Sequence, residues 1–187
     1  MEHEAYIKES NPFHTEYGMN IVLIGYRGVG KSTIGRQLAD RMGMQFVDSD
    51  DVIVRKAQKT IREIFAQGGE SLFRDLESAV IDELAQRDNT VIAAGGGAVL
   101  RPANVEKLKV HGRIVWLQAP AEVLWQRMKA DTQTAANRPN LTSAGGVEEI
   151  VRLLEIRAPL YAAAADITLD VTNMHRDQIV RYLAEMA

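Results

Sequence analysis

No cysteine occurs in the 187 residues, so neither a disulfide framework nor a thiolate metal site can be built from this chain. A basic surplus is missing too. Lys and Arg number 22 against 25 Asp and Glu, a formal net charge of −3, and no basic stripe of the kind that follows nucleic acid is present. No apolar run approaches the roughly 20 residues that a membrane-spanning helix needs. Met1–Asn20 lacks the apolar stretch of a secretory signal. Low-complexity tracts and repeats of helical-repeat length are absent as well. These gaps predict a cytoplasmic chain with no nucleic-acid or membrane partner. What is present, 46% hydrophobic and 25% charged residues, is the balance of a globular domain, and the length suits one of them.

Residues 1–18 are polar, aperiodic and carry Pro12 and Gly18; they read as a flexible N-terminal extension to a single domain over 19–187. From Asn20 onward, short apolar runs alternate with helical patterns. Strands are predicted over Asn20–Ile24, Gln45–Val47, Thr90–Ala94, Arg113–Gln118 and Asp166–Val171. The continuous apolar run NIVLI suits a strand buried on both faces. Helices are predicted over Ser32–Met42, from the Thr60–Glu63 capping box through Phe65, along Leu72–Leu84, and over Pro102–Val110, Pro120–Met128, Val147–Tyr161 and His175–Met186. Residues 130–146 are polar and read as a loop. Such alternation predicts a parallel sheet of about five strands with helices on both faces. Ligands of such sheets bind beyond the carboxyl ends of the strands.

Gly25-Tyr26-Arg27-Gly28-Val29-Gly30-Lys31-Ser32 satisfies G-x-x-x-x-G-K-[ST] in full. Its glycines let several backbone N–H groups converge on one anion, and the following helix adds its positive end. Lys31 is placed to meet the β- and γ-phosphates and Ser32 to ligate Mg²⁺. Four specified positions coincide by chance in roughly one chain in a hundred or fewer at average residue usage. The motif defines nucleotide triphosphate binding but not a reaction.

Downstream residues carry the rest. Asp48 and Asp50 follow the second strand; period-two geometry would aim both at the phosphate loop, one for Mg²⁺ waters and one as a base. A solvated acidic turn or a helix cap is the alternative, and Asp51 reads as a cap or a surface charge. Arg157 shares a helical stripe with Ile150, Leu153 and Tyr161, so it needs an anion, either a carboxylate of the protein or one on a substrate. Arg74 and Glu77, one turn apart, form either a surface ion pair or a guanidinium fork held for a ligand. Gly95-Gly96-Gly97 ends a strand at a high cost in chain entropy, which favours close backbone approach to a small ligand over a plain turn. Arg138, in the polar loop, suits a lid that closes on phosphate.

In this order the segments resemble the shikimate kinase family from about Asn20 to the C-terminus. They are GYRGVGKSTIGRQLA at 25–39, FVDSD at 46–50, IREIF at 61–65, GESLFRDLE at 69–77, GGGAV at 95–99, RPNL at 138–141 and RAPLY at 157–161. The resemblance implies a three-layer α/β/α P-loop kinase fold with a lid at about 129–146, phosphorylation of the shikimate 3-hydroxyl by ATP, and Mg²⁺ as cofactor. It implies a catalytic set of Lys31, Asp50 and Arg138. ATP would meet Gly28, Val29, Gly30, Lys31, Ser32, Thr33, Arg127 and Arg138. Shikimate would meet Asp50, Arg74, Gly95, Gly96, Gly97 and Arg157, between walls formed by Phe65 and Phe73. Ser32 would hold the metal directly and Asp48 through water. ATP and shikimate are the expected partners of a monomer. The chain departs from many relatives at Val54, where they have Glu, and at Gln58, where they have Gly. Two rivals remain: another small-metabolite kinase of this fold, for gluconate or a nucleoside monophosphate, and a non-catalytic nucleotide switch. The latter would not need Asp50, Arg74, Arg138 and Arg157 together.

Overall fold

A computed structural model describes residues 19–130 and 146–186; Arg138 and most of the expected lid lie outside these residues, as do residues 1–18. The elements run β1 (Asn20–Ile24), α1 (Lys31–Met42), β2 (Gln45–Asp48), α2 (Ser49–Ala57), α3 (Ile61–Leu84), β3 (Thr90–Ala93), a single 3₁₀ turn (Ala98–Leu100), α4 (Pro102–Val110), β4 (Gly112–Gln118), α5 (Ala121–Ala130), α6 (Gly146–Ala164), β5 (Ile167–Asp170) and α7 (Arg176–Met186). The five strands form one sheet in the order β2-β3-β1-β4-β5, and every pairing is parallel.

Strand β1 sits at the centre and is buried along its whole length. Successive side chains of a strand point to opposite faces, and here they feed two separate cores. Ile21 and Leu23 pack with Leu38 of α1, Leu124 of α5 and Ile179 of α7. Val22 and Ile24 pack with Ile53 of α2, Ile81 of α3 and Leu108 of α4. Helix α6 joins both, giving Ile150 to the first and Tyr161 to the second. Among the described residues no helix is long and apolar enough to cross a membrane.

The largest departure from the sequence reading is α2. The sequence reading gives the acidic segment as a turn or a helix cap and assigns no helix after it, and the three successive β-branched residues Val52, Ile53 and Val54 have low helix propensity. The helix forms because Asp48 caps it, its side chain accepting from the Asp50 N–H, and because Val52 and Ile53 are buried in the core. Tertiary burial overrides propensity. Asp51 is exposed and lies 3.6 Å from Arg36.

Helix α3 combines the two helices read from the sequence. The capping box forms as expected, Thr60 and Glu63 bonding reciprocally. The backbone leaves helical geometry at Gly68 and Gly69, so the segment bends there, as helices do at glycine pairs. Helix α2 ends at Gln58, whose φ of 51° is left-handed, the conformation in which glycine bears no Cβ penalty. Gln58→Gly is expected to stabilise the protein by about 1 kcal/mol, raising Tm by about 2–4 °C for a chain of this size. Thermal unfolding of the two proteins side by side checks it.

Candidate active site

The phosphate loop follows from the way β1 stops. Gly25 has φ of 135°, and a Cβ there would meet the Leu117 carbonyl oxygen of β4 at 2.3 Å, so only glycine lets the chain leave the sheet at this point. Helix α1 then starts at Lys31 with Gly30 as its cap residue, no capping side chain and no acid in its first turn. A helix start of this kind offers its N–H groups and dipole to an anion. The Lys31 ammonium donates to the carbonyls of Gly25 at 2.8 Å and Tyr26 at 3.1 Å, folded over the same loop. Val29 is buried and Thr33 exposed. Arg127 of α5 donates to the Val171 carbonyl at 3.0 Å and lies 3.5 Å from the Val29 carbonyl, bracing the loop from the side.

Asp48 and Asp50 do not share a strand face as period-two geometry predicted. Asp48 ends β2 while Asp50 sits in the first turn of α2, and the two carboxylates diverge. Asp48 accepts from the Ser32 hydroxyl at 2.5 Å. Asp50 turns to a second, deeper place, a cavity of about 500 Å³ counting its open mouth. Arg74, Glu77 and Arg157 line the same cavity, with Ile61, Phe65, Phe73, Gly96, Gly97 and Arg27 around them. The Phe65 and Phe73 rings stand 5.1 Å apart as one wall.

The two open questions about arginines have structural answers. Arg74 is buried, and so is Glu77, which rules out a surface ion pair. Arg74 donates to Glu77 at 2.5 Å and through Nε and Nη2 to Glu70 at 3.1 and 3.0 Å. Burial works against the Arg74 charge, yet the two carboxylates more than offset it and hold the guanidinium protonated. The Glu77 carboxyl is pushed above its ordinary range by burial, with the Asp50 charge adding to the effect and Arg74 opposing it. Arg157 is 5% exposed, and among the described residues no carboxylate lies within ion-pair distance of it. Its Nη1 lies 3.4 Å from the Gly96 carbonyl, and its guanidinium carbon is 5.9 Å from the centre of the Tyr26 ring.

The glycine triplet serves these side chains. A Cβ on Gly97 would meet both terminal nitrogens of Arg74 at 2.3 Å. Gly95 stands one layer behind the cavity wall: its N–H goes to the Ser49 hydroxyl at 2.9 Å, and its Cα faces Glu77 and Asp50. The Gly96 carbonyl also accepts from the Tyr161 hydroxyl, which burial pushes up to about 12, so this donor stays protonated at any working pH. Gly97→Ala is expected to push the Arg74 guanidinium off the cavity wall and weaken binding of a carboxylate ligand by about tenfold, the equivalent of about one charge-assisted hydrogen bond. Calorimetric titration with such a ligand measures it.

Sequence reasoning missed Arg27, Ile61, Ser49 and Tyr161. Arg27 and Tyr26 fill variable positions of the phosphate-loop motif, and Tyr161 reads as one more core aromatic on its stripe. The one available signal was a cation inside a loop whose ligand is an anion.

A central parallel sheet, a phosphate-binding helix start at the end of its middle strand and a charged acceptor cavity beside it define the class: a P-loop kinase of the three-layer α/β/α type. A family model described as Shikimate kinase matches residues 27–187, and the chain belongs to that family. It is 41% identical over 168 residues to a shikimate kinase of Rhodopirellula baltica, covering 90% of each chain. It is 46% identical to one of Thermosynechococcus vestitus, covering 83% of this chain and 81% of that one. Among solved structures it is similar to a shikimate kinase of Acinetobacter baumannii in complex with shikimate, with a TM-score of 0.83, 38% identity and coverage of 90% and 92%.

Proposed function

We propose that this protein transfers the γ-phosphoryl group of ATP to the 3-hydroxyl of shikimate, giving ADP and shikimate 3-phosphate on the route to chorismate and the aromatic amino acids. The observation that carries the reading is the single cavity that gathers Asp50, Arg74 and Arg157 beside the phosphate loop. Shikimate is a small ring with one carboxylate and three hydroxyls. Arg157 supplies a buried cation that has no carboxylate at ion-pair distance among the described residues. Arg74, held by Glu70 and Glu77, presents a fixed guanidinium fork. Together they anchor the carboxylate end, and this orients a hydroxyl toward Asp50 and the phosphate loop.

In the proposed reaction Asp50 accepts the proton as the hydroxyl oxygen bonds to the γ-phosphorus and the bond to the β,γ-bridging oxygen breaks. The loop N–H groups around Gly28, Val29 and Gly30, together with Lys31, carry the charge that spreads over the phosphoryl oxygens. Positioning supplies much of the acceleration, since the acceptor is fixed at one end before transfer. Ser32 and Asp48 present a hydroxyl and a carboxylate 2.5 Å apart; such hard oxygen donors suit Mg²⁺, Ser32 as a direct ligand and Asp48 through water. The ion, when bound, neutralises charge on the β- and γ-phosphates. Thr33 completes the phosphate contacts, Arg127 flanks the adenine, and Arg138, outside the described residues, is assigned to the γ-phosphate from the family resemblance. The proposal is of a cytoplasmic enzyme that works as a monomer on two small molecules.

The test is incubation with ATP, Mg²⁺ and shikimate, with mass spectrometry of the products. A phosphorylated shikimate is the expected species. ATP consumption only with gluconate or a nucleoside monophosphate, across a panel of acceptors, would overturn the reading.

A further inference from the structure

We infer that Arg27 is a third cation of the transfer site, carried by the phosphate loop itself and acting on the charge that arrives at the acceptor oxygen. The inference rests on the phosphotransfer reading above. Arg27 fills a variable position of the loop motif, yet its side chain lines the acceptor cavity together with Asp50, Arg74 and Arg157. It therefore belongs to both halves of the site at once. The Lys31 ammonium lies 3.1 Å from the Tyr26 carbonyl, the carbonyl of the peptide that Arg27 completes, so the phosphate-directed lysine is one peptide unit away. The Arg27 N–H side of the loop also packs against Gly96, the residue whose carbonyl faces Arg157.

The guanidinium is fixed. Its Nη2 donates to Glu149 of α6 at 2.8 Å, and these side chains are 14% and 1% exposed. Arg27 and Arg157 approach the same Tyr26 ring, their guanidinium carbons 6.0 and 5.9 Å from its centre. A shikimate carboxylate is matched by Arg74 and Arg157 at one end. The charge that appears only on transfer, on the phosphoryl group as it passes to the acceptor, arises next to the phosphate loop, the segment that carries Arg27 into the cavity. An arginine so placed stabilises the transition state and the phosphorylated product more than the bound acceptor.

Removing Arg27 alone would strand the buried Glu149 carboxylate, and that destabilises for reasons unrelated to catalysis. The informative protein is therefore Arg27→Met with Glu149→Met, which removes the pair together. Arg27→Lys is the companion variant: it keeps the pair and the charge but loses the planar fork. Three quantities are measured: kcat, the affinity for shikimate and the affinity for shikimate 3-phosphate, with ATP affinity and thermal unfolding as controls. In the double variant kcat is expected to fall about 10- to 100-fold. Affinity for the phosphorylated product is expected to fall about tenfold, with shikimate affinity changed by less than about threefold, the loss of one charge-assisted contact. Arg27→Lys should fall between the double variant and the parent in kcat. Equal losses for shikimate and its phosphate would reduce Arg27 to a structural brace and overturn the inference, as would an unchanged kcat in both variants. If the parent protein makes no phosphorylated shikimate, the broader reading fails instead, and the two failures are distinct.

Discussion

Asp50→Asn is expected to lower kcat by about 10²- to 10⁴-fold, the usual worth of a positioned general base, while ATP affinity stays within about twofold, since the phosphate loop is untouched. The substitution is nearly isosteric. Asn can still orient the acceptor hydroxyl by a hydrogen bond, but it cannot take the proton. Asp50 is 7% exposed and lines the cavity beside Glu77, and the Asp50 charge helps to raise the Glu77 carboxyl. Removing that charge relieves a like-charge contact, so the variant should unfold at the parent temperature or slightly above it. A steady-state ADP-release assay and a melting curve give both numbers. Parent-like turnover in the Asn protein would remove Asp50 as the base and leave positioning as the whole of its role.

Arg157→Met should cost about 2–4 kcal/mol of shikimate binding, roughly 30- to 700-fold in affinity, as expected when one partner of a desolvated charged contact is removed. The thermal midpoint should hold or rise. Arg157 is 5% exposed, and a buried cation with no carboxylate at ion-pair distance among the described residues is a cost to the unliganded fold. Methionine fills most of the space without the charge. The opposite pattern, a large fall in melting temperature with shikimate affinity intact, would make Arg157 a structural residue. Calorimetry with shikimate at fixed ATP, beside differential scanning, separates the two outcomes.

How far the sequence carried depended on how locally each feature is encoded. The phosphate loop is contiguous, so Gly25–Ser32 could be read at once, with the strand before and the helix after it. The order of strands and helices was legible because both cores hang on strictly periodic residues. The acceptor cavity was legible only as a family pattern. Arg74, Asp50 and Arg157 come from three different helices, and nothing in the spacing of any one of them says that they face a common space. Helix α2 was missed because its β-branched run hides a helix that depends on the Asp48 cap and on burial. The separate duties of Asp48 and Asp50 were read, but not their separate directions, since a strand and a helix turn the same pair of residues in different directions. Arg27 escaped because a motif says nothing of its variable positions.

The strand order sets a length scale for the chemistry. Strand β3 lies between β1 and β2, so the loop that cradles phosphate and the segment that bears Asp50 emerge two strand widths apart, about 9–10 Å at ordinary interstrand spacing. The sheet thus acts as a ruler fixed before any loop is chosen. Its two divisions match one phosphoryl group and a compact ring, and the glycines at 95 and 97 leave the space beside them to the Glu77, Asp50 and Arg74 side chains. A longer acceptor would have to be accommodated at the Phe65–Phe73 wall, the one boundary of the cavity that the ruler does not calibrate.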